Sequence, residues 1–529
     1  MSFLKDFFFE EFKQQRLDTE NSAFIQALEL ALYSDKSLFL TGRAGTGKTT
    51  FLHTFRRLNV NKNLAVVAPT GVAAINAKGR TLHSFFRIDP KQLFLPGDPR
   101  LQPQAKGKKE SIFSTFRFTD SRLSVIRKLD TLVIDEISMV RVELLDVIDQ
   151  ILRVYRRRQH LPFGGVQLIM IGDPFQLPPV VRSQDWELLS PYYQSRFFFS
   201  SMAFRQLRPL YIELNKIYRQ KDLVFKEILN RVRESQHTAE DIQTLNQTAS
   251  RYHFGLLDQG YILLGTHNNT IQDINARKLS ELQGKEKMYK GEFKDDFPIN
   301  MAPFEPIDLT LKVGAQVIFL RNNPEKGFYN GMIGKVVKLE SNLIQVENER
   351  GSLFDVSREV WENVEFTYNE TSERVEAEVV GSFVQFPLKL AWAITVHKSQ
   401  GLTFEKCILD IERSFEAGQV YVALSRCTSL DGLVLKMPIG YHSVKVSADS
   451  LGFSAERTHE EEIEQELEIT RAKVALRHAF RLFMAGDYPQ AERFFVEAQR
   501  VEDFRAYPKW RQFLDVKDWV MERHKKMAR

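Results

Sequence analysis

Residues 42–49 spell Gly-Arg-Ala-Gly-Thr-Gly-Lys-Thr. This GxxxxGKT run is entered from a strand-like stretch, residues 38–41, and followed at once by the helical pattern TFLHTFRRL. Strand, glycine turn and helix in that order leave the chain few folds, because the turn belongs at the carboxyl end of a parallel, helix-covered strand. The glycines let backbone N–H groups point inward around phosphate oxygens, and the new helix adds the positive end of its dipole. On this reading Gly42, Ala44, Gly45, Thr46 and Gly47 cradle a nucleoside triphosphate, with Thr50 just inside the helix. Lys48 reaches the β- and γ-phosphates, and Thr49 offers its hydroxyl to Mg²⁺. A glycine-rich turn with a surface lysine is the bland alternative, and the flanking strand and helix argue against it.

What such a site powers has to be read downstream. KLDTLVIDEIS is a buried strand that delivers Asp135 and Glu136 at its carboxyl end, where ligands bind in open α/β sheets. ATP chemistry asks for such a pair: Asp135 to hold Mg²⁺ and Glu136 to orient or polarise the attacking water. Alone, an ordinary exposed acidic turn explains the pair as well; the phosphate loop upstream favours chemistry. A further strand, VQLIMIG, leads to GDPFQLPP (172–179), where prolines would hold Gln176 rigid enough to sense a γ-phosphate. Taken by itself, that stretch is equally a proline-rich turn.

The 529 residues suffice for roughly three or four domains. With 43% hydrophobic and 27% charged residues the chain reads as globular, with a well-buried core. Its net charge is only +5, so any affinity for nucleic acid must come from a local channel. Most of the 41 phenylalanines are expected in the core, with some free to stack on bases. Cys407 and Cys427 lie in apolar segments without metal-ligand spacing, which suggests reduced core thiols. The N-terminal MSFLKDFFFEEFKQQ is broken by charges, and no apolar run reaches about 18 residues. The expectation is a soluble, cytoplasmic protein without a membrane partner.

Along the chain, residues 17–33 read as an amphipathic helix capped around Asp18 and Thr19. Strand and helix then alternate to about residue 210, giving an α/β lobe of the RecA type, with 88–120 as a projecting loop or small hairpin. A second α/β set starts at YIELNKIYRQ, where Arg219 is a candidate phosphate contact, and runs over 211–311. Short alternating strands over 312–385 suggest a small β-barrel insert. The α/β pattern resumes over 386–440, and 441–529 form a helical tail whose GDYPQAERFFVEAQR resembles one tetratricopeptide-like helix.

The ordered set GRAGTGKT, APTGVAA, GRTLHSFF, DEIS, GDPFQLPP, YRQ, TVHKSQG and VALSR resembles superfamily 1B DNA helicases, and within them the Pif-one family, related to RecD-type helicases. The resemblance spans roughly residues 17–437 and leaves the helical tail outside. It implies two RecA-like parallel-sheet lobes with ATP between them, an SH3-like insert, and 5′→3′ translocation on single-stranded DNA of a tailed or forked duplex. The loop at 88–120 would act as the wedge, in a monomeric core. It further implies DNA contacts from Thr70, Gly71, His83, Phe85, Pro178, Thr266, His397 and Lys398. Gln400 and Gly401 would face the nucleotide, and Arg219 and Arg426 would complete the catalytic set from the second lobe. Phe85 beside Phe86 reads equally as core, and His83 as a satisfied core histidine. One departure stands out: Asn21 occupies the position where many members carry an adenine-reading glutamine.

Two other functions compete. A phosphate-loop ATPase or kinase acting on proteins or small molecules explains residues 42–49 and 135–136 but leaves HKSQG and VALSR unused. A nucleic-acid remodeller that hydrolyses ATP without separating strands uses every motif, and strand separation on tailed duplexes discriminates it.

Overall fold

The computed structural model describes residues 12–15, 17–103, 110–218, 222–303, 306–411 and 417–527. Six strands make the first sheet: β1 (Leu38–Gly42), β2 (Leu64–Ala68), β3 (Arg80–Thr81), β4 (Thr131–Ile134), β5 (Gln167–Ile171) and β6 (Leu210–Leu214). All neighbours run parallel, in the order β3-β2-β4-β5-β1-β6. Strand alternation sends Phe39, Val67, Ile134 and Met170 into one core and Leu38, Leu40, Val66, Val133 and Ile169 into the other. Helix Val142–Tyr155 covers the first face, and helices Ser22–Tyr33 and Lys48–Leu58 cover the second. Burial on both faces is why these strands read as unbroken apolar runs.

Two sequence expectations change here. YIELN does not open the second α/β set; it is the edge strand of the first sheet, paired in parallel with β1 (Leu38 with Leu210, Leu40 with Ile212). The first lobe therefore runs past residue 210. Of residues 88–120, expected as a projecting loop or small hairpin, 104–109 lie outside the described residues; the described part holds no hairpin but a 3₁₀ turn at Pro99–Leu101 and a short helix at Ile112–Thr115. Phe94, Leu101, Ile112 and Phe116 are buried in the first-lobe core. The Pro, Gly and Lys content signalled a loop, and the apolar residues between them decided where it packs.

The second lobe opens with helix Leu223–Arg233 and strand β7 (Ile262–Gly265). The β insert follows: β8 (Lys287–Tyr289), β9 (Glu292–Asp295), β10 (Leu309–Leu311), β11 (Gln316–Phe319), β12 (Ile333–Leu339), β13 (Ile344–Asn348), β14 (Leu353–Val356), β15 (Glu359–Asn369), β16 (Arg374–Gln385) and β17 (Leu388–Leu390). Then come β18 (Ala393–Thr395), β19 (Cys407–Asp410) and β20 (Leu433–Leu435), and the lobe's own sheet is β18-β7-β19-β20, all parallel. The insert holds an antiparallel sheet β14-β13-β12-β11-β17 beside the groups β15-β16-β9 and β10-β8. It runs from 287 to 390, wider than the expected 312–385, because β8 to β10 are too short to show alternation. Its long β15–β16 hairpin returns to the first lobe. There Glu365 pairs with Arg122 and with Arg80 (3.2 Å), and Phe366 meets Phe85 edge-on.

The tail is helical, as expected, with helices Glu460–Met484, Tyr488–Val501 and Pro508–Met527 around their own core. It is also stitched to the first lobe. Phe453 stacks on Phe199 at 4.3 Å, the Tyr211 N–H donates to the Thr458 hydroxyl, and Arg471 forks onto Glu29 at 2.7 and 2.9 Å. Cys407 and Cys427 are buried free thiols.

Candidate active site and nucleic-acid interface

The carboxyl ends of the first sheet share one edge, and strand order sets the order of chemistry along it. His83 and Phe85 follow β3, Thr70 and Gly71 follow β2, Asp135 and Glu136 follow β4, and Gln176 follows β5. The phosphate loop follows β1, and Tyr218 follows β6. A cavity of about 580 Å³ opens there, lined among others by Thr46, Lys48, Thr49, Thr50, Glu136, Gln176, Gly401 and Arg426.

The loop is shaped by its glycines. At Gly42 (φ 154°) a Cβ would lie 2.5 Å from the Thr46 hydroxyl and 2.7 Å from the Leu214 carbonyl, so only glycine lets the loop close against β6. Lys48 Nζ donates to the carbonyls of Gly42 (2.5 Å) and Arg43 (3.1 Å), which holds the ammonium over the cradle. Thr49 and Thr50 remain exposed at the helix start.

Glu136 adopts left-handed backbone angles (φ 51°, ψ 44°), a strained choice for a non-glycine that turns its side chain toward the cavity. Burial lifts the Asp135 carboxyl to about 7, and the neighbouring Glu136 adds to the rise. Burial likewise raises Glu136, against the opposing fields of Lys48 and Arg426. Two crowded carboxylates whose charge is disfavoured form a place that a divalent cation would relieve.

The second lobe completes the cavity. Gln400 Nε2 donates to Glu136 Oε2 (3.1 Å) and to Gln176 Oε1 (3.3 Å). Arg426 is buried, yet its hydrogen bonds go to neutral oxygens: the carbonyls of Val422, Ser399 and Leu402 and the Ser425 hydroxyl. Burial pulls its pKa below the ordinary value. A desolvated guanidinium with neutral partners, facing a phosphate cradle, suits a polyphosphate. The donor set therefore fits a triphosphate with Mg²⁺, which commonly takes few protein ligands beside phosphate oxygens. Arg219 lies outside the described residues.

Sequence reasoning named Asn21 at the wall of the cavity beside the start of helix Ser22–Tyr33, but missed the residues around it. Leu17, Asp18, Phe24 and Tyr218 form that wall, and Asn21 stands behind it. Its Oδ1 caps helix Ser22–Tyr33 by accepting from the Phe24 N–H (3.3 Å), and its Nδ2 donates to the Tyr218 hydroxyl (3.2 Å). Tyr421 was missed as well: its hydroxyl accepts from the Ala44 N–H of the phosphate loop at 3.4 Å. Tyr218 opens the motif YRQ and Tyr421 directly precedes VALSR, but nothing in their spacing sets them apart.

The candidate DNA contacts fall into two groups. The Thr70 hydroxyl caps helix Gly71–Asn76, and His83 is half-buried, with burial and Arg141 holding its imidazole below the ordinary pKa. Phe85 is core: it is 2% exposed and wedged between Phe86 and Phe366, so the stacking expectation fails for it. Pro178 is half-buried just beyond Gln176. On the second lobe, β7 and β18 pair Gly265 with Thr395, which sets Thr266 beside the exposed His397 and Lys398.

A phosphate loop opening a helix, an acid pair on a neighbouring strand and an arginine from a second parallel sheet define a two-lobed P-loop nucleoside triphosphatase. A family model described as PIF1-like helicase matches residues 17–243. The ATP-dependent DNA helicase Pif1 of Bdellovibrio bacteriovorus is 32% identical over 80% of this chain and 88% of that protein. PIF1 of Danio rerio is 34% identical over 79% of this chain and 61% of its own length, so this chain spans about three fifths of that relative. Among solved structures, Bacteroides sp Pif1 with ADP-AlF4 is 39% identical with a TM-score of 0.75, covering 82% of this chain and 96% of that one. The same protein bound to single-stranded DNA matches at 40% identity and a TM-score of 0.54, over 79% and 93%. The chain belongs to the PIF1-like helicase family.

Proposed function

We propose that the chain is an ATP-dependent DNA helicase that moves 5′→3′ on single-stranded DNA and separates the duplex ahead. One observation carries this reading. Gln400, which reaches Glu136 and Gln176 at the cavity, lies on the same short segment as the exposed His397 and Lys398. Nucleotide state and strand contact can therefore move together. The single-stranded DNA bound by the Bacteroides relative supports the same partner here, with tailed or forked duplex as substrate. The polarity is the one the family resemblance implies.

In this scheme Lys48 and the loop N–H groups bind the β- and γ-phosphates. Mg²⁺, held by Thr49 and Asp135, would supply charge neutralisation across those oxygens. Glu136 polarises the attacking water, Gln176 senses the γ-phosphate, and Arg426, with Arg219, offsets charge in the transition state. Thr70, Gly71, His83, Pro178, Thr266, His397 and Lys398 track the strand, as phosphate-directed contacts without sequence preference. Residues 88–120 form the wedge and the β insert, with an SH3-like part, lies over the strand. The active core is a monomer working on DNA in the cytoplasm, at the nucleoid. Among the described residues no helix is long and apolar enough to cross a membrane.

The test is strand separation with ATP on duplexes bearing a 5′ or a 3′ single-stranded tail. Unwinding from the 5′ tail alone is expected, with ATP hydrolysis stimulated by single strands and weakened by salt. Stimulated hydrolysis with no separation on either tail would favour the remodeller instead.

A further inference from the structure

The side chain of Gln176 is not free to choose its orientation. Its Nε2 donates to Asp173 Oδ2 at 3.3 Å, and its Oε1 accepts from Gln400 at 3.3 Å. An ionised aspartate can only accept, so it turns the amide nitrogen of Gln176 toward itself and the oxygen toward Gln400. Gln176 keeps a second amide hydrogen for the cavity that it lines.

Asp173 is itself held. It is fully buried, its Oδ1 accepts from the Phe175 N–H (3.2 Å), and the same oxygen receives Arg233 Nη2 at 3.1 Å. Arg233 is also fully buried and caps the Phe175 ring at 4.3 Å. Its second anchor is Glu213 on β6, 3.2 Å from Nη1. Arg233 ends helix Leu223–Arg233, whose Phe225, Ile228, Leu229 and Val232 pack in the second-lobe core. The next residue, Glu234, pairs with Arg43 of the phosphate loop at 3.1 Å. One helix end of the second lobe thus grips both the phosphate loop and the glutamine segment of the first.

We propose that Arg233 is a positioning residue for ATP hydrolysis: by clamping Asp173 it fixes the orientation of Gln176 and so sets the γ-phosphate sensor from the second lobe. The inference rests on the ATPase reading above. Burial opposes the charge on Arg233, but Asp173, Tyr421 and Glu213 outweigh it and keep the guanidinium above its ordinary pKa.

The experiment measures kcat and KM for ATP with saturating single-stranded DNA, together with Tm, in the full chain. R233M should lower kcat by ~10²-fold with KM within about threefold, the size of effect expected from a misplaced reacting group. R233K retains charge but not the planar fork, and should recover only part of it. D173N is nearly isosteric and carries the test if R233M does not fold. It puts an amide nitrogen against that of Gln176, so kcat should again fall by at least ~10-fold. E213Q removes the charge of the second, buried anchor without touching Asp173, so it should lower kcat by less than D173N does. R233M in a Q176A background should add little beyond Q176A alone, because the residues act as one unit. Hydrolysis that survives both R233M and D173N, or falls equally in D173N and E213Q in step with Tm, would overturn the inference while leaving the ATPase reading intact. No DNA-stimulated hydrolysis in the unmodified chain would overturn that reading, and the inference with it.

Discussion

The Gln400 amide nitrogen lies 3.1 Å from a carboxylate oxygen of Glu136, joining the second sheet to the acid pair of the first. Gly418 permits the close approach of the lobes nearby. It has φ 82°, and a Cβ there would lie 2.7 Å from the carbonyls of both Phe175 and Gln176. Helix Gln419–Leu424 can therefore press directly onto the glutamine segment and bring Arg426 into the cavity. The lobe interface and the Glu136 carboxylate are mechanically one assembly.

Glu136→Gln should retain nucleotide binding while turnover falls by ~10²–10⁴-fold, the usual contribution of a general base. Equilibrium titration with a fluorescent nucleotide, beside steady-state hydrolysis, separates the two. Loss of binding itself would make Glu136 a metal ligand and reverse the division of roles with Asp135.

Lys48→Ala should abolish hydrolysis with the fold intact. The ammonium donates to the loop carbonyls of Gly42 and Arg43 and lies at the cavity rather than in either core of the lobe. Circular dichroism and Tm should match the parent chain, and near-normal ATPase would remove the nucleotide assignment.

Arg426→Ala should reduce kcat by ~10³-fold or more with nucleotide affinity changing much less, as for an arginine that offsets transition-state charge. Arg426→Lys should not restore it fully, since one ammonium cannot stand in for the Nε, Nη1 and Nη2 donors that reach Val422, Ser399, Leu402 and the Ser425 hydroxyl. Near-normal DNA-stimulated turnover in Arg426→Ala would end the coupling scheme.

Arg471→Met should destabilise the chain by ~3–5 kcal/mol, because it leaves the buried Glu29 carboxylate without its fork. Urea melts measure this, and adding Glu29→Gln should recover much of the loss. If the single substitution were neutral, the tail would be an appendage without a structural role in the first lobe.

An acid-side term comes from Asp241, whose pKa is lowered from 3.8 to about 2, chiefly by its hydrogen bonds with Arg231. The folded value lies below the unfolded one, so the stabilisation is complete above about pH 4 and is lost as pH falls toward 2. Denaturation of the parent and of Asp241→Asn should therefore differ at pH 6 and converge near pH 2. A constant gap would assign the effect to the helix cap rather than to charge.

The nucleotide half of the site was legible in the sequence because its geometry is local. Eight consecutive residues form the phosphate loop, and Asp135, Glu136 and Gln176 each follow a buried strand within a few residues, so strand order alone brings them to one edge. The parallel α/β lobes, the β insert and the helical tail were legible for the same reason, since periodicity and turn residues act over a few positions. What depends on partners distant in the chain was not. YIELN became the edge of the first sheet because β1 had an open side. Phe85 became core because Phe366 arrives on the β15–β16 hairpin. Asn21 found Tyr218, 197 residues on, and helix Glu460–Met484 docked with the buried Arg471–Glu29 pair beside Ile463 and Leu467 in the first-lobe core. An isolated strand or ring carries no record of which surface will cover it. Only tertiary packing supplies the desolvation and the second charge that turn Arg233 or Arg426 from an ordinary arginine into part of a site.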